Sequence, residues 1–204
     1  MVDSELLRRG LQRVGTPLHD ASVLVALTDR PEGQGVILEV RASRLSVQPG
    51  EVSLPGGSIE PGETPEHAAV RECAEELLVD PSQVQVLAPL GQIPGPAGIR
   101  LHAFCGTIEG YEGSFSADEV DRVFYLPVSW LLEHEPSCYE VGAQREFPPD
   151  FPWDKVPGGQ DYHWRSYREH IPFYETEPVV WGATARVLER FTQVVRAGLV
   201  CRGV

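Results

Sequence analysis

Short β-branched apolar runs mark the first part of the chain. Ala21 to Thr28 (ASVLVALT) and Gly35 to Val40 (GVILEV) flank the turn-rich cluster Asp29 to Gly33, the pattern of a hairpin. Further strand-like stretches lie at Gln83 to Leu90, Arg100 to Ile108 and Val120 to Leu126. Apolar residues at helical spacing cover Thr64 to Leu77 and Trp181 to Val195, and Met1 to Gly15 reads as a charged amphipathic helix. Strands mixed with helices at irregular intervals predict an α/β/α sandwich around a mixed β-sheet and argue against a regular βαβ repeat.

Between Glu135 and Pro178 the periodicity breaks down. Prolines alternate there with Tyr139, Phe147, Phe151, Trp153, Tyr162, Trp164, Tyr167, Phe173 and Tyr174. So many aromatics are foreign to disordered segments, so an ordered lid or pocket wall without regular secondary structure is expected. The 204 residues are read as one domain carrying this insert and a C-terminal helix.

Composition narrows the function. Seventeen basic against thirty acidic side chains leave a formal charge of −13, which disfavours nucleic acid and anionic membranes as partners. A phosphorylated ligand would need divalent cations or a local basic patch to offset that field. No run approaches the ~18 apolar residues of a spanning helix, and Met1 to Gly15 lacks the apolar core of a signal peptide. Cys73, Cys105, Cys138 and Cys201 form no CxxC pair, so reduced thiols and a cytoplasmic location are expected.

The informative stretch is Leu54 to Val79, LPGGSIEPGETPEHAAVRECAEELLV, where a glycine-rich turn runs into a helix. Thr64 suits the N-cap and Pro65 the first helical position. At about 100° per residue Glu72, Glu75 and Glu76 share one arc, opposite Val70, Cys73, Ala74 and Leu77. That places three carboxylates on the open face, where their repulsion calls for something positive. Carboxylate oxygens are hard ligands suited to Mg²⁺ or Mn²⁺, and Arg71 could orient them through a bidentate contact. An arbitrary acidic run is more often a solvated helix face; the upstream spacing decides otherwise.

Gly57, Glu63, Arg71, Glu72, Glu75 and Glu76 fit the pattern Gx5Ex7REUxEExGU, with Cys73 and Val79 at its apolar positions. This resembles the signature of the Nudix hydrolases. The resemblance implies that Glu72 and Glu76 are the principal metal ligands and Glu75 assists. A backbone carbonyl of Gly56 or Gly57 completes the site, and Glu63 ties the loop to the helix through Arg71. Leu78 stands where that pattern has glycine. Because Leu disfavours a left-handed helix end by roughly 1–2 kcal/mol, a different helix exit is expected.

The approach to the box, VRASRLSVQPGEVSLPGG, is similar to the matching segment of the family's coenzyme A diphosphatases at Arg41, Leu45, Gly50, Val52, Ser53, Pro55, Gly56 and Gly57. It departs from them at Ser46, Gln48, Glu51 and Leu54. PVVWGATARVLERF, Pro178 to Phe191, resembles their closing Trp-Gly-x-Thr helix. The resemblance implies metal-dependent hydrolysis of coenzyme A to 4′-phosphopantetheine and adenosine 3′,5′-bisphosphate. Glu75 and Glu119 are alternative general bases. Arg41 and Arg44, with Gly50 between them and the box, are the candidate phosphate-binding residues. A different nucleoside diphosphate derivative such as ADP-ribose, or a nucleotide-binding module without catalysis, are the competing readings, and association into a homodimer is left open. His102 and His163 are expected to be structural, since no His/Cys spacing suggests zinc.

Overall fold

The computed structural model describes residues 20–95, 98–143, 145–165 and 167–202, so the expected helix within Met1 to Gly15 lies outside the described residues. Strands β1 (Asp20–Arg30) and β2 (Gly33–Arg41) form the anticipated hairpin, closed by Pro31 and Glu32 with Arg30 opposite Gly33. Gly33 has a φ of 116°, a conformation that L side chains rarely adopt.

Both apolar runs are continuous because both faces of these strands are covered. Along β1, Leu24 and Ala26 pack with Ala69, Cys73 and Leu77 of helix α1 (Pro65–Leu77). Val25 and Leu27 point the other way, into a core shared with Ala185, Val187, Leu188 and Phe191 of the C-terminal helix, Gly182–Arg202. These helices enclose a seven-stranded sheet, the expected α/β/α layering.

Five further strands complete that sheet: β3 (Val52–Ser53), β4 (Gly56–Ser58), β5 (Val84–Pro94), β6 (Arg100–Ile108) and β7 (Val120–Pro127). The spatial order is β3-β2-β1-β6-β5, with β4 beside β1 and β7 beside β2. Among the described residues only β1 and β6 run parallel, so the sheet is mixed. Strand β1 changes partner along its length: Ala21–Val23 pair with β4 and Leu27–Arg30 with β2. Between the two pairings the Leu24 N–H donates to the carbonyl of Pro55 at 2.9 Å, so the glycine loop is anchored where the sheet forks.

Helix α1 begins as its sequence requires. Thr64 is extended and its hydroxyl accepts from His67 N–H at 3.2 Å, with Pro65 following. Its end corrects the expectation. Leu78 does adopt the left-handed conformation (φ 52°, ψ 48°), and its N–H reaches the carbonyl of Ala74. Leu78 is largely exposed, whereas Leu77 beside it is fully buried, so burial of the helix face fixes the exit and the local strain is tolerated.

A short helix α2 (Val128–Glu133) follows β7, and the insert then corrects a second expectation. It contains regular structure: β8 (Ser137–Ala143) and β9 (Tyr167–Tyr174) lie within it and, with β10 (Val180–Trp181) just beyond its end, form a separate antiparallel sheet ordered β10-β9-β8. The β8–β9 pairing spans a long connection, inside which Phe147 contacts Phe151, Trp153 and Trp164 at centroid distances of 4.7 to 5.6 Å. Tyr174 and Val180 are buried in the core shared with the C-terminal helix, α3 (Gly182–Arg202), and so hold the second sheet against the first. Cys73 and Cys105 are buried and Cys138 and Cys201 exposed, all four as free thiols. No helix among the described residues is long and apolar enough to cross a membrane.

Candidate active site

Two adjacent glycines let the loop after β3 approach both β1 and α1. Gly56 has a φ of 152°, and a Cβ there would lie 2.2 Å from the carbonyl oxygen of Ser22. At Gly57 a Cβ would meet the Glu72 carboxyl group at 2.5 Å. The bare backbone thus lies directly against a carboxylate, and the Gly56 N–H donates to Glu76 Oε2 at 2.7 Å. Loop and helix are joined by side chains that the glycines leave room for.

Arg71 organises the outer side of the helix. Its Nε and Nη2 donate to the two oxygens of Glu63, each at 3.0 Å, and Nη2 also reaches the Ser58 carbonyl at 3.1 Å. Nη1 donates to Glu72 at 2.9 Å and to Glu75 at 3.3 Å. The expected tie between loop and helix through Glu63 is present. Arg71 holds the Glu63 carboxyl below the usual carboxylate range, and Glu63 in turn raises the guanidinium. At Glu72 burial outweighs Arg71 and pushes the carboxyl up.

The expectation that Glu76 lies on the open face is corrected. Glu76 is only 4% exposed, whereas the Glu75 side chain is 60% exposed. The arc they share is split: the loop at Gly56 and the sheet below cover one flank of it. Burial pushes the Glu76 carboxyl up to about 8, with Glu119 and Glu72 adding to the rise. Sequence reasoning missed a fourth acid. Glu39 of β2 is 1% exposed, and burial together with Glu76 raises its carboxyl well above the ordinary value. A glutamate inside the otherwise apolar run GVILEV was the available signal.

Beside the glycine loop lies a cavity of about 340 Å³. Its walls include Arg41, Val52, Ser53 and Leu54 from the approach to the box, and Trp181, Gly182, Ala183 and Thr184 at the start of α3. Glu169 and Ile171 of β9 close another side, so the insert does furnish a pocket wall. The Thr184 hydroxyl donates to the Val52 carbonyl at 3.0 Å, joining walls from opposite ends of the sequence.

The other expected residues are distributed unevenly. Arg41 lines the cavity, whereas Arg44 is exposed and pairs with Asp118 at 3.4 Å. Gly50 is not among the lining residues; its φ is 74° and its N–H donates to the Arg41 carbonyl at 3.0 Å, which shapes the loop. Glu119 is exposed, yet its charge is felt at Glu72, Glu76 and Glu39, and its backbone carbonyl accepts from Ala42 N–H at 2.8 Å. His102 pairs with Asp20 at 3.1 Å, the structural place expected of it, and His163 is exposed in the insert.

A family model of the NUDIX domain matches residues 18–144. The chain belongs to the Nudix family. This Nudix hydrolase is similar to a protein of Escherichia coli O7:K1 named "Uncharacterized Nudix hydrolase NudL", 30% identical over 186 residues that cover 90% of this chain and 86% of that one. It is also similar to "Nudix hydrolase 22, chloroplastic" of Arabidopsis thaliana, 31% identical over 86% of this chain and 55% of that one. The crystal structure of a MutT/nudix family protein from Enterococcus faecalis shares the fold, with a TM-score of 0.51, 16% identity and coverage of 96% of this chain and 70% of that one. The reaction class of the present chain is hydrolysis of pyrophosphate bonds.

Nudix enzymes generally use divalent ions, and the residues present fit one. Glu76 is a nearly buried carboxylate whose local field is dominated by other acids, and Glu72 lies packed on the backbone of Gly57. Such hard oxygen donors suit a divalent cation. Among the described residues no three acidic, His or Cys side chains already form a coordination sphere. An ion here would complete its shell with water and substrate oxygens, as Mg²⁺ commonly does.

Proposed function

We propose that this Nudix hydrolase cleaves the diphosphate of coenzyme A or a derivative, with Mg²⁺ or Mn²⁺, giving 4′-phosphopantetheine or its acyl form and adenosine 3′,5′-bisphosphate. The observation that carries this reading is the meeting of Val52 to Leu54 with Trp181 to Thr184 in one cavity beside Gly56 and Gly57. Those are the two segments that resemble coenzyme A diphosphatases, and chain distance alone gives them no reason to meet.

Glu72 and Glu76 would hold the cation, with Glu75 assisting and a carbonyl of the glycine loop completing the site. The bound ion would offset phosphate charge and lower the pKa of the attacking water. The chain's own contribution is positional. Gly56 N–H holds one oxygen of Glu76, Arg71 fixes Glu72 against the loop, and Arg41 on the cavity wall would meet phosphate oxygens. Glu75, exposed on the helix, and Glu119, exposed on its loop, are the candidate bases for the water proton.

A second reading rests on the cavity's few cations. Among the described residues lining it, Arg41 and Arg186 are the only basic ones, and Arg186 is bound to Glu169 at 2.5 Å. A diphosphate without coenzyme A's 3′-phosphate, such as ADP-ribose, suits that charge pattern. Assays with coenzyme A, acyl-coenzyme A, ADP-ribose, NADH and nucleoside triphosphates, each with Mg²⁺ and Mn²⁺ and with products identified, separate the readings. Preferred turnover of coenzyme A or its thioesters, with release of adenosine 3′,5′-bisphosphate, is expected. Preferred turnover of ADP-ribose favours the second reading, and ligand binding without turnover of any diphosphate would overturn both.

A further inference from the structure

The feature left over by that site is a set of buried oxygens beneath it. Glu39 and Ser53 are register partners on β2 and β3, so their side chains stand on the same face of the sheet. Ile37, two residues before Glu39 and therefore on that face, packs with Ala69, Cys73 and Leu77 of α1. The face in question is thus the one that carries Glu76 above it. Among the described residues, Glu39 Oε1 and Ser53 Oγ are buried and have no hydrogen-bond partner.

Glu39 also lies within hydrogen-bond reach of Glu76, and two carboxyl groups buried side by side, one with an oxygen left without a donor, are costly unless a proton or a cation lies between them. The groups whose fields reach Glu39 are Glu76, Glu119 and Arg41; of these only Arg41 is positive, and it stands at the cavity wall. The neighbouring Tyr111 hydroxyl is turned away, donating to the Ser114 carbonyl at 2.5 Å. Two glutamates and a hydroxyl, with orphaned oxygens and nothing apolar about their chemistry, make an oxygen-rich donor set for a small hard cation.

We infer that Glu39, with Ser53 and Glu76, forms an inner subsite for a divalent cation on the sheet side of α1, so that Glu76 is shared between this position and the outer one at Glu72. Glu39 thereby becomes a fourth carboxylate donor of the centre. The inference rests on the cation site proposed above and is independent of which diphosphate is cleaved.

The test is Mn²⁺ binding by the full chain without substrate, followed by calorimetry and by electron paramagnetic resonance of the free ion. Glu39→Gln is expected to lose bound Mn²⁺ or to bind it at least about tenfold more weakly, while its unfolding temperature in chelator is unchanged or raised. Retention of wild-type stoichiometry and affinity in Glu39→Gln would overturn the inference and would mean that a shared proton joins the two acids. Anomalous diffraction from Mn²⁺-soaked wild-type crystals supplies a reading that needs no variant. A peak within bonding distance of a Glu39 oxygen is expected; peaks at Glu72 and Glu76 alone would overturn it. Loss of Mn²⁺ binding in Glu76→Gln but not in Glu39→Gln would leave the outer site and the proposed activity standing.

Discussion

The two flanks of α1 treat their carboxylates in opposite ways. On the outer flank Glu63, Glu72 and Glu75 surround one guanidinium, and Arg71 donates to all three. On the inner flank Glu76 and Glu39 are more deeply buried and meet mostly negative neighbours. In the first group Arg71 neutralises Glu63 and braces loop to helix, while Glu72 beside it stays under-compensated, its carboxyl pushed up by burial. The second is left short of positive charge, which is what a binding site for a cation requires. Burial of acid is therefore informative only together with the inventory of what faces it.

The largest effect on this contrast should come from Glu76→Gln. Turnover is expected to fall by more than about a hundredfold, since even outer partners of a catalytic metal typically cost 10–100-fold. The same variant should be no less stable than wild type in chelator, because below about pH 8 it replaces a neutral carboxyl by an amide of similar shape and above that it removes a buried charge. Steady-state kinetics and thermal unfolding check the two halves, and unchanged turnover would sink the ligand assignment.

Glu76 and Glu63 should also respond to pH with opposite signs. Glu76, raised to about 8 by burial, keeps its proton in the folded chain after the unfolded chain has released it. Stability of the cation-free protein should accordingly fall as pH rises from about 4.5 to 8, by up to ~1.4 kcal/mol per unit. Glu63, lowered by Arg71, acts the other way: its contribution is present above the ordinary carboxylate pKa and is lost as pH falls below it. Unfolding curves in chelator and in Mg²⁺ across this range test the pattern, which added cation should flatten on the alkaline side.

Removing the brace should cost stability before chemistry. Arg71→Ala leaves three acids facing one another, with an expected loss of about 2 kcal/mol after discounting for partial exposure; urea unfolding reads it. Gly57→Ala presses on the flexible end of Glu72, so the fold should survive while Mn²⁺ affinity drops about tenfold. The smallest change should be Leu78→Gly, which relieves a left-handed leucine and is expected to stabilise by ~1 kcal/mol in thermal unfolding.

Local patterns were the legible part of the molecule. The β1–β2 hairpin and the Thr64 cap depend on neighbours within a few turns of chain and were readable from local pattern, whereas the reach of Arg71 to Glu63 was implied by the family resemblance. Strands β8 and β9 were hidden because their partners are separated by the whole aromatic segment and prolines interrupt the alternation. The depth of Glu76 and the role of Glu39 were hidden for a different reason. A helical wheel gives direction but not what lies across from it, and here the opposite wall is a strand more than thirty residues upstream. Arg44 looked equivalent to Arg41 in sequence, yet three residues further on it pairs with Asp118 and is not among the residues lining the cavity.

The fork in β1 has a consequence for motion. Loops are ordinarily the first backbone to open to solvent, but the Pro55–Gly56 step hangs from Leu24, whose side chain is wholly enclosed, and from Glu76. The amide protons of Leu24 and Gly56 should therefore exchange with deuterium only when the entire sheet opens, as slowly as those of the central strands. An active-site loop with that persistence presents its geometry before any ligand arrives, and catalysis would begin from a rigid cradle.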